Sequence, residues 1–245
     1  MARTALLERL MHGWRRARLT ERTKQTATGR TLTFEVPHWP GHLPGQHVDV
    51  RLTADDGYQA VRSYSLAAPA DAGGDRIELG VQAAFGGEVS PYLADDLPVG
   101  AEVEVMGPLG GWFVWTPQDR GPLLLIAGGS GVVPVMAMLR ARAASASGDP
   151  CTLLYSVRAP DEVWYATELD AVAEGVRVRR LYTRTAPEGS RRPAGRIAAD
   201  DLLGMPPPTD TRCYVCGPTA FVEHVGELLL GAGYGPDRIR TERFG

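Results

Sequence analysis

Two kinds of residue in this chain are suited to chemistry: glycines grouped where a strand should turn into a helix, and cations near them. Gly128, Gly129 and Gly131 follow a continuous apolar run at residues 123–127, the pattern of a strand buried on both faces. Val132, Val135, Met136 and Leu139 then recur at helical spacing, with Pro134 in the first turn, where its missing N–H costs nothing. Strand, glycine turn and helix start together form an anion site, because unpaired amides and the helix dipole point into the turn. The spacing is GGxGxxP and not the GxGxxG dinucleotide fingerprint, so a tight turn without a ligand is the competing reading.

Three further groups stand out. Arg62-Ser63-Tyr64-Ser65 offers a cation for phosphate, a ring for stacking and hydroxyls for a heteroatom; the plainer reading is an exposed strand with a core tyrosine. Gly86-Gly87-Glu88-Val89-Ser90, ahead of Pro91-Tyr92-Leu93, suggests a second glycine turn into a helix and a second phosphate cradle, or else an ordinary loop. Tyr214-Val215-Cys216-Gly217-Pro218 ends a strand and enters a helix. Ligands of α/β sheets bind at the carboxyl ends of strands, so Cys216 is expected to face the cleft, although a buried cysteine is more often inert packing.

The elements that must position these groups change character midway. Residues 1–13 are patterned as a short helix (Leu6, Leu7, Leu10, Met11). Short alternating stretches follow at 17–26, 31–36, 47–52, 63–66, 77–82 and 102–106, separated by Gly, Pro and Asp turns. That texture predicts an antiparallel barrel or sandwich. Beyond a linker at 117–122, strands are expected at 123–127, 151–157, 176–183, 212–216 and 239–244. Helices at 132–144, 168–173, 197–203 and 220–232 alternate with them, which predicts a parallel sheet with crossovers. The expectation is two domains, an antiparallel β-barrel over 1–118 and an α/β parallel-sheet nucleotide-binding domain over 119–245.

Composition bounds the function. With 44% hydrophobic and 22% charged residues, the 245-residue chain has an ordinary globular make-up. A net charge of -3 gives no reason to expect nucleic acid or an anionic membrane as partner. No run is long enough to span a bilayer, and the arginine-rich start lacks the apolar core of a signal, so a cytoplasmic location is expected. Cys151, Cys213 and Cys216 are too few for a disulfide framework, and one Cys-x-x-Cys pair cannot ligate an iron–sulfur cluster alone. No metal site is expected.

Taken in order, the motifs resemble those of the ferredoxin–NADP reductase superfamily over about residues 15–245. RSYS is similar to its RxYS flavin motif, GGEVS to its flavin pyrophosphate loop, GGSGVVP to its nicotinamide-nucleotide loop, and YVCGP to its Cys-Gly-Pro motif. Glu242-Arg243-Phe244-Gly245 looks like the module's closing segment. The resemblance implies a reductase in which FAD takes hydride from a nicotinamide coenzyme. It implies that Arg62 and Ser63 serve the flavin site, that Tyr64 stacks on the ring, and that Ser65 hydrogen-bonds near N5. Gly86, Gly87, Val89 and Ser90 would hold the flavin pyrophosphate, and Gly129, Ser130 and Gly131 that of the coenzyme. Cys216, Gly217 and Pro218 would lie by the nicotinamide, with Glu242 and Phe244 bordering the flavin. Ser65, Cys216 and Glu242 would be the catalytic residues. Val133 departs from the pattern, since many relatives carry Thr there.

NADPH is favoured over NADH. NAD sites usually place an acid at the end of the second strand to hold the ribose 2′-OH. Here that strand ends in Ser156 and Arg158, with Arg184 after the third strand, and seven arginines but one acid (Glu188) lie between 177 and 196. A solvated basic loop is the alternative. With no fused iron–sulfur segment, the expected acceptor is a separate protein, such as a ferredoxin, a Rieske-type oxygenase component or a haem mono-oxygenase. Arg15–Arg18 or the basic loop would dock it if acidic. The alternatives are a reductase of small diffusible acceptors (flavin, quinone, ferric chelate), or an electron-transfer subunit of a larger complex. Oligomeric state is not legible.

Overall fold

Strand β1 (Arg15–Lys24) shows how the first half forms: Ala17 and Leu19 are fully buried while Arg16 and Arg18 between them are exposed, a period of two. The computed structural model describes residues 13–71, 74–145, 147–172 and 174–244, so the helix expected at the amino terminus lies, but for Gly13, outside the described residues. The chain divides into two compact units, one running up to Thr116 together with Met136–Ala141, the other comprising Pro117–Val135 and Arg142 onward.

The first unit is a six-stranded antiparallel sheet made by β1, β2 (Gly29–Glu35), β3 (His47–Thr53), β4 (Gln59–Ser65), β5 (Arg76–Gln82) and β6 (Glu102–Leu109), in the order β4-β3-β6-β1-β2-β5. An antiparallel bridge between Leu66 and Leu79, with Ala67 N donating to Glu78 O at 2.8 Å, joins the two edges and closes the barrel. Leu32, Phe34, Val48, Leu79 and Val105 fill it, each fully buried. Burial of each such side chain contributes roughly 2 kcal/mol. After β5 the chain makes a helical turn, Val89–Pro91, and a wider turn, Tyr92–Asp96, which set Val89 and Leu93 against the core. β4 starts four residues earlier than the sequence pattern indicates. It pairs with β3 along its whole length, but exposed Val61 breaks the alternation that would have marked it.

The second unit is a parallel sheet of β7 (Leu123–Gly128), β8 (Cys151–Val157), β9 (Val176–Tyr182), β10 (Arg212–Pro218) and β11 (Ile239–Phe244), ordered β11-β10-β7-β8-β9. β7 and β8 are buried at every position, as central parallel strands should be. Helices α1 (Val132–Ala144), α2 (Ala166–Asp170) and α3 (Thr219–Gly231) cross over between strands. The helix expected at 197–203 is a single 3-10 turn, Ala199–Leu202. β8 and β9 lie on one side of β7, β10 and β11 on the other, so the order reverses beside the glycine turn that follows β7, where sheets of this kind bind ligands. Among the described residues no helix is long and apolar enough to cross a membrane, and no three His, Cys, Asp or Glu are grouped to hold a metal.

Candidate functional site

In the barrel, β4 sets Arg62 and Tyr64 on one face and turns Ser63 and Ser65 to the other. Arg62 is exposed; Nη1 donates to the adjacent Val61 carbonyl at 2.7 Å, and among the described residues no carboxylate pairs with it. Tyr64 is buried, and burial pushes its phenol up to about 12 against the pull of the Arg62 charge and a hydrogen bond with Ser90. Ser90 Oγ in turn accepts from Ala84 N at 3.1 Å, fixing the base of the glycine loop. Gly87 N closes that loop on Ala84 O at 3.0 Å. Gly86 has a φ of +71, a conformation that glycine takes without strain, and nothing stands within 4 Å of where its Cβ would be. So Tyr64, Ser90 and the open turn at Gly86 and Gly87 form one cradle, with Arg62 two residues from Tyr64 on the same face of β4, while the Val89 side chain is turned into the core. Ser63 sits behind it, its hydroxyl donating to Asp49 Oδ1 at 2.5 Å, and half-buried Ser65 faces His47 on β3.

Two rings that the sequence reading passed over border this cradle. Phe85, at the tip of the glycine turn, is fully exposed, and Tyr58 is 58% exposed with its hydroxyl donating to Glu88 Oε2 at 3.2 Å. A bare aromatic next to two glycines was the available signal. A free guanidinium beside an open glycine turn suits a pyrophosphate, and exposed aromatic faces suit flat rings; these residues therefore fit FAD.

The second unit holds a different cradle. β7 runs into the turn Gly129–Gly131, and α1 starts at Val132. Gly129 has a φ of +55 and open space where a Cβ would be, whereas a Cβ on Gly131 would lie 2.6 Å from Cys216 C and 2.8 Å from Gly217 N. The turn after β7 thus packs directly on the end of β10. Gly128 and Gly217 both leave room for the Phe221 ring, which a Cβ on either would meet at 2.8 and 2.7 Å. Cys216 is 1% exposed, and burial, then the neighbouring Glu242 carboxylate, push its thiol well above the ordinary range. It is a packed neutral thiol and not a nucleophile. Glu242 pairs with it across β10 and β11, and burial pushes that carboxyl up to about 7. Phe244, opposite Pro218, is 38% exposed.

At the carboxyl ends of β8, β9 and β10 lies a cavity of about 440 Å³. Ser156, Arg158 and Arg184 line it, and Pro218 and Phe221 form an apolar wall. Arg196, Thr183 and His224 line it too, unforeseen from sequence. Among the described residues no acid lines it, and none of the three guanidiniums has a carboxylate partner. Other arginines of the unit do: Arg180 with Asp170 at 2.7 Å, Arg212 with Asp119 at 3.2 Å and Arg192 with Asp201 at 2.6 Å. A cavity so lined fits a phosphate. Near the amino terminus Arg16 pairs with Glu102 at 3.3 Å and Arg18 pairs with Glu35, so that basic stretch is largely neutralised. A larger cavity on the barrel, about 630 Å³, contains none of the motif residues, and its Arg51 is bonded twice to Glu104 at 2.8 Å.

A barrel with a flavin-type cradle and a parallel sheet with a nicotinamide-nucleotide cradle have the architecture of paired FAD-binding and NAD-binding oxidoreductase domains. The model of the oxidoreductase FAD-binding domain matches residues 16–114, and that of the oxidoreductase NAD-binding domain matches residues 125–227. A ferredoxin–NADP reductase B from Sorangium cellulosum is 30% identical, the match covering 90% of this chain and 89% of that protein. The chain belongs to the ferredoxin–NADP reductase family. The ferredoxin–NAD(P)(+) reductase component of naphthalene 1,2-dioxygenase/salicylate 5-hydroxylase systems from Ralstonia sp is 33% identical over 82% of this chain, which spans only 60% of that relative's length. The flavohaem-like FAD/NAD-binding domain of nitric oxide dioxygenase from Vibrio cholerae superposes with a TM-score of 0.83 at 25% identity, covering 94% of this chain and 98% of that one.

Proposed function

We propose that this protein takes hydride from NADPH in preference to NADH and passes electrons to a separate redox protein. One observation carries the coenzyme choice: Arg158 and Arg184, with no carboxylate partner among the described residues, stand where an NAD site would offer an acid to the ribose. A 2′-phosphate would supply the missing counter-charge, and charge-assisted bonds of this kind are worth about 1.5–3 kcal/mol each.

FAD, when bound, would supply an acceptor for one hydride and release its two electrons singly, which would join a two-electron donor to one-electron acceptors. The chain supplies the positioning. Arg62 pairs with the flavin pyrophosphate, Gly86, Gly87, Val89 and Ser90 receive it by backbone and hydroxyl, and Tyr64 presents its ring. Ser63 braces β4 through Asp49, and Ser65 offers a hydroxyl to the flavin edge. In the other unit Gly129, Ser130 and Gly131 take the coenzyme pyrophosphate while Ser156, Arg158 and Arg184 take the 2′-phosphate. Gly217 and Pro218 carry the chain past the nicotinamide, neutral Cys216 excludes water there, Phe244 adds apolar surface, and Glu242 holds a proton near neutrality.

The names of the Ralstonia and Sorangium relatives support a ferredoxin or oxygenase component as acceptor. An anaerobic titration of the FAD-loaded protein tests the coenzyme: NADPH should bleach the flavin at concentrations at least tenfold below those needed with NADH, and equal responses would overturn that choice. Turnover should saturate with a protein acceptor at micromolar levels; activity confined to small dyes and quinones would refute a protein partner.

A further inference from the structure

The loop between β9 and the turn at Ala199–Leu202 brings Arg196 back to the cavity, and one side chain folds it. Gly195 N donates to Tyr182 O at 2.9 Å, closing the excursion onto the end of β9. Within it, the Arg192 guanidinium uses all five of its N–H groups. Nε donates to Asp201 Oδ1 at 2.6 Å and Nη2 to Asp201 Oδ2 at 2.8 Å. Nη1 donates to Pro193 O at 3.1 Å and Gly195 O at 3.2 Å, and Nη2 also to Arg196 O at 2.8 Å. Asp201, only 4% exposed, closes the ring by accepting from Ala198 N at 2.9 Å, while Arg179 Nη1 donates to its carbonyl at 2.9 Å. Ile197 O is taken by His224 Nε2 at 2.8 Å. From 193 to 198 the backbone is captured on both sides of Arg196, whose own side chain has no ion-pair partner among the described residues.

We propose that Arg196 is a third contact for the 2′-phosphate of NADPH and that Arg192 with Asp201 is its positioning pair. The inference rests on the NADPH reading above. It assigns opposite jobs to two arginines four residues apart: Arg192 binds the loop and no ligand, Arg196 binds the ligand and holds nothing else. Burial alone would push the Asp201 carboxyl up, but the Arg192 bond, the Ala198 amide and the Arg179 charge bring it below its ordinary range, so the clamp keeps its charge at neutral pH. Lysine cannot replace Arg192, because an ammonium has three donors and no planar fork to span a carboxylate and three carbonyls.

The test is steady-state kinetics of the FAD-loaded protein with each coenzyme, together with calorimetric binding of NADP+ and NAD+ to the oxidised form. Arg196→Ala should raise KM for NADPH and weaken NADP+ about tenfold, leaving kcat and every NADH value unchanged. Arg192→Lys and Asp201→Asn should do the same, and Arg192→Lys added to Arg196→Ala should cost little more than Arg196→Ala alone, since both act through one contact. Losses that fall equally on NADPH and NADH, or fully additive losses in the double variant, would overturn the positioning role. If Arg158→Ala and Arg184→Ala abolish the NADPH preference while the clamp variants keep it, the clamp inference fails alone; if they leave the coenzyme ratio unchanged, the NADPH reading itself has failed.

Discussion

Gly86 and Gly131 sit in turns of similar composition, one in each unit, yet their surroundings are opposite. Around Gly86 there is open space and a left-handed φ of +71, so the glycine serves the shape of an exposed loop. Around Gly131 there is the backbone of β10, so close that any side chain would overlap it. The contrast extends to the charges. The barrel cradle offers a single free guanidinium on a strand, Arg62, whereas the α/β cavity gathers three, one delivered by a loop that another arginine has folded. The first turn is open around its glycine, while the second is packed against a strand before any ligand arrives, which suits a coenzyme that comes and goes.

Substitutions at these glycines should separate the two designs most sharply. Gly131→Ala forces the turn off β10 and should destabilise the protein by about 3 kcal/mol, read as a lower urea midpoint with or without FAD. Gly86→Ala meets no atom and bears only left-handed strain, about 1 kcal/mol, and its main effect should be weaker FAD retention. Equal losses of stability in the two variants would break the comparison.

A smaller effect should divide the ligands. Arg62→Ala removes the barrel's free cation and should weaken FAD binding to the apoprotein by about tenfold or more, from the loss of a charge-assisted contact worth roughly 1.5–3 kcal/mol. NADP+ affinity should not move. If fluorescence titration shows both ligands weakened alike, the two cradles are not independent.

Much of this was legible in the chain, and particular residues show why the rest was not. The apolar run of β7 and the glycines after it declared a strand, a turn and a helix because that signal is local. Counting charges between 177 and 196 finds one acid for seven arginines, but the acid that consumes Arg192 is Asp201, outside that window. Arg196 looked no different from its neighbours, and only the folded loop distinguishes it. RSYS reads as one cluster, yet the strand's period of two sends Ser63 to Asp49 on the opposite face from Arg62 and Tyr64. Tertiary pairing, invisible to spacing, decided each case.

A last effect concerns pH, and it too should trace to one unit. In the barrel, burial moves Tyr64 up to about 12 and His47 below its ordinary value, both away from neutrality. In the α/β unit, burial brings Glu242 to about 7. An unfolded glutamate ionises near 4.5, so between there and about 7 the folded chain keeps a proton that the unfolded chain has released, and stability falls as pH rises through that window. Glu242→Gln has no proton to lose. It should match the wild type near pH 5 and exceed it at pH 8 by about 1–2 kcal/mol, allowing for partial exposure. Flavin reduction by NADPH should show an inflection near pH 7 in the wild type and none in the variant. An inflection that survives Glu242→Gln would move the proton-holding group out of the α/β unit.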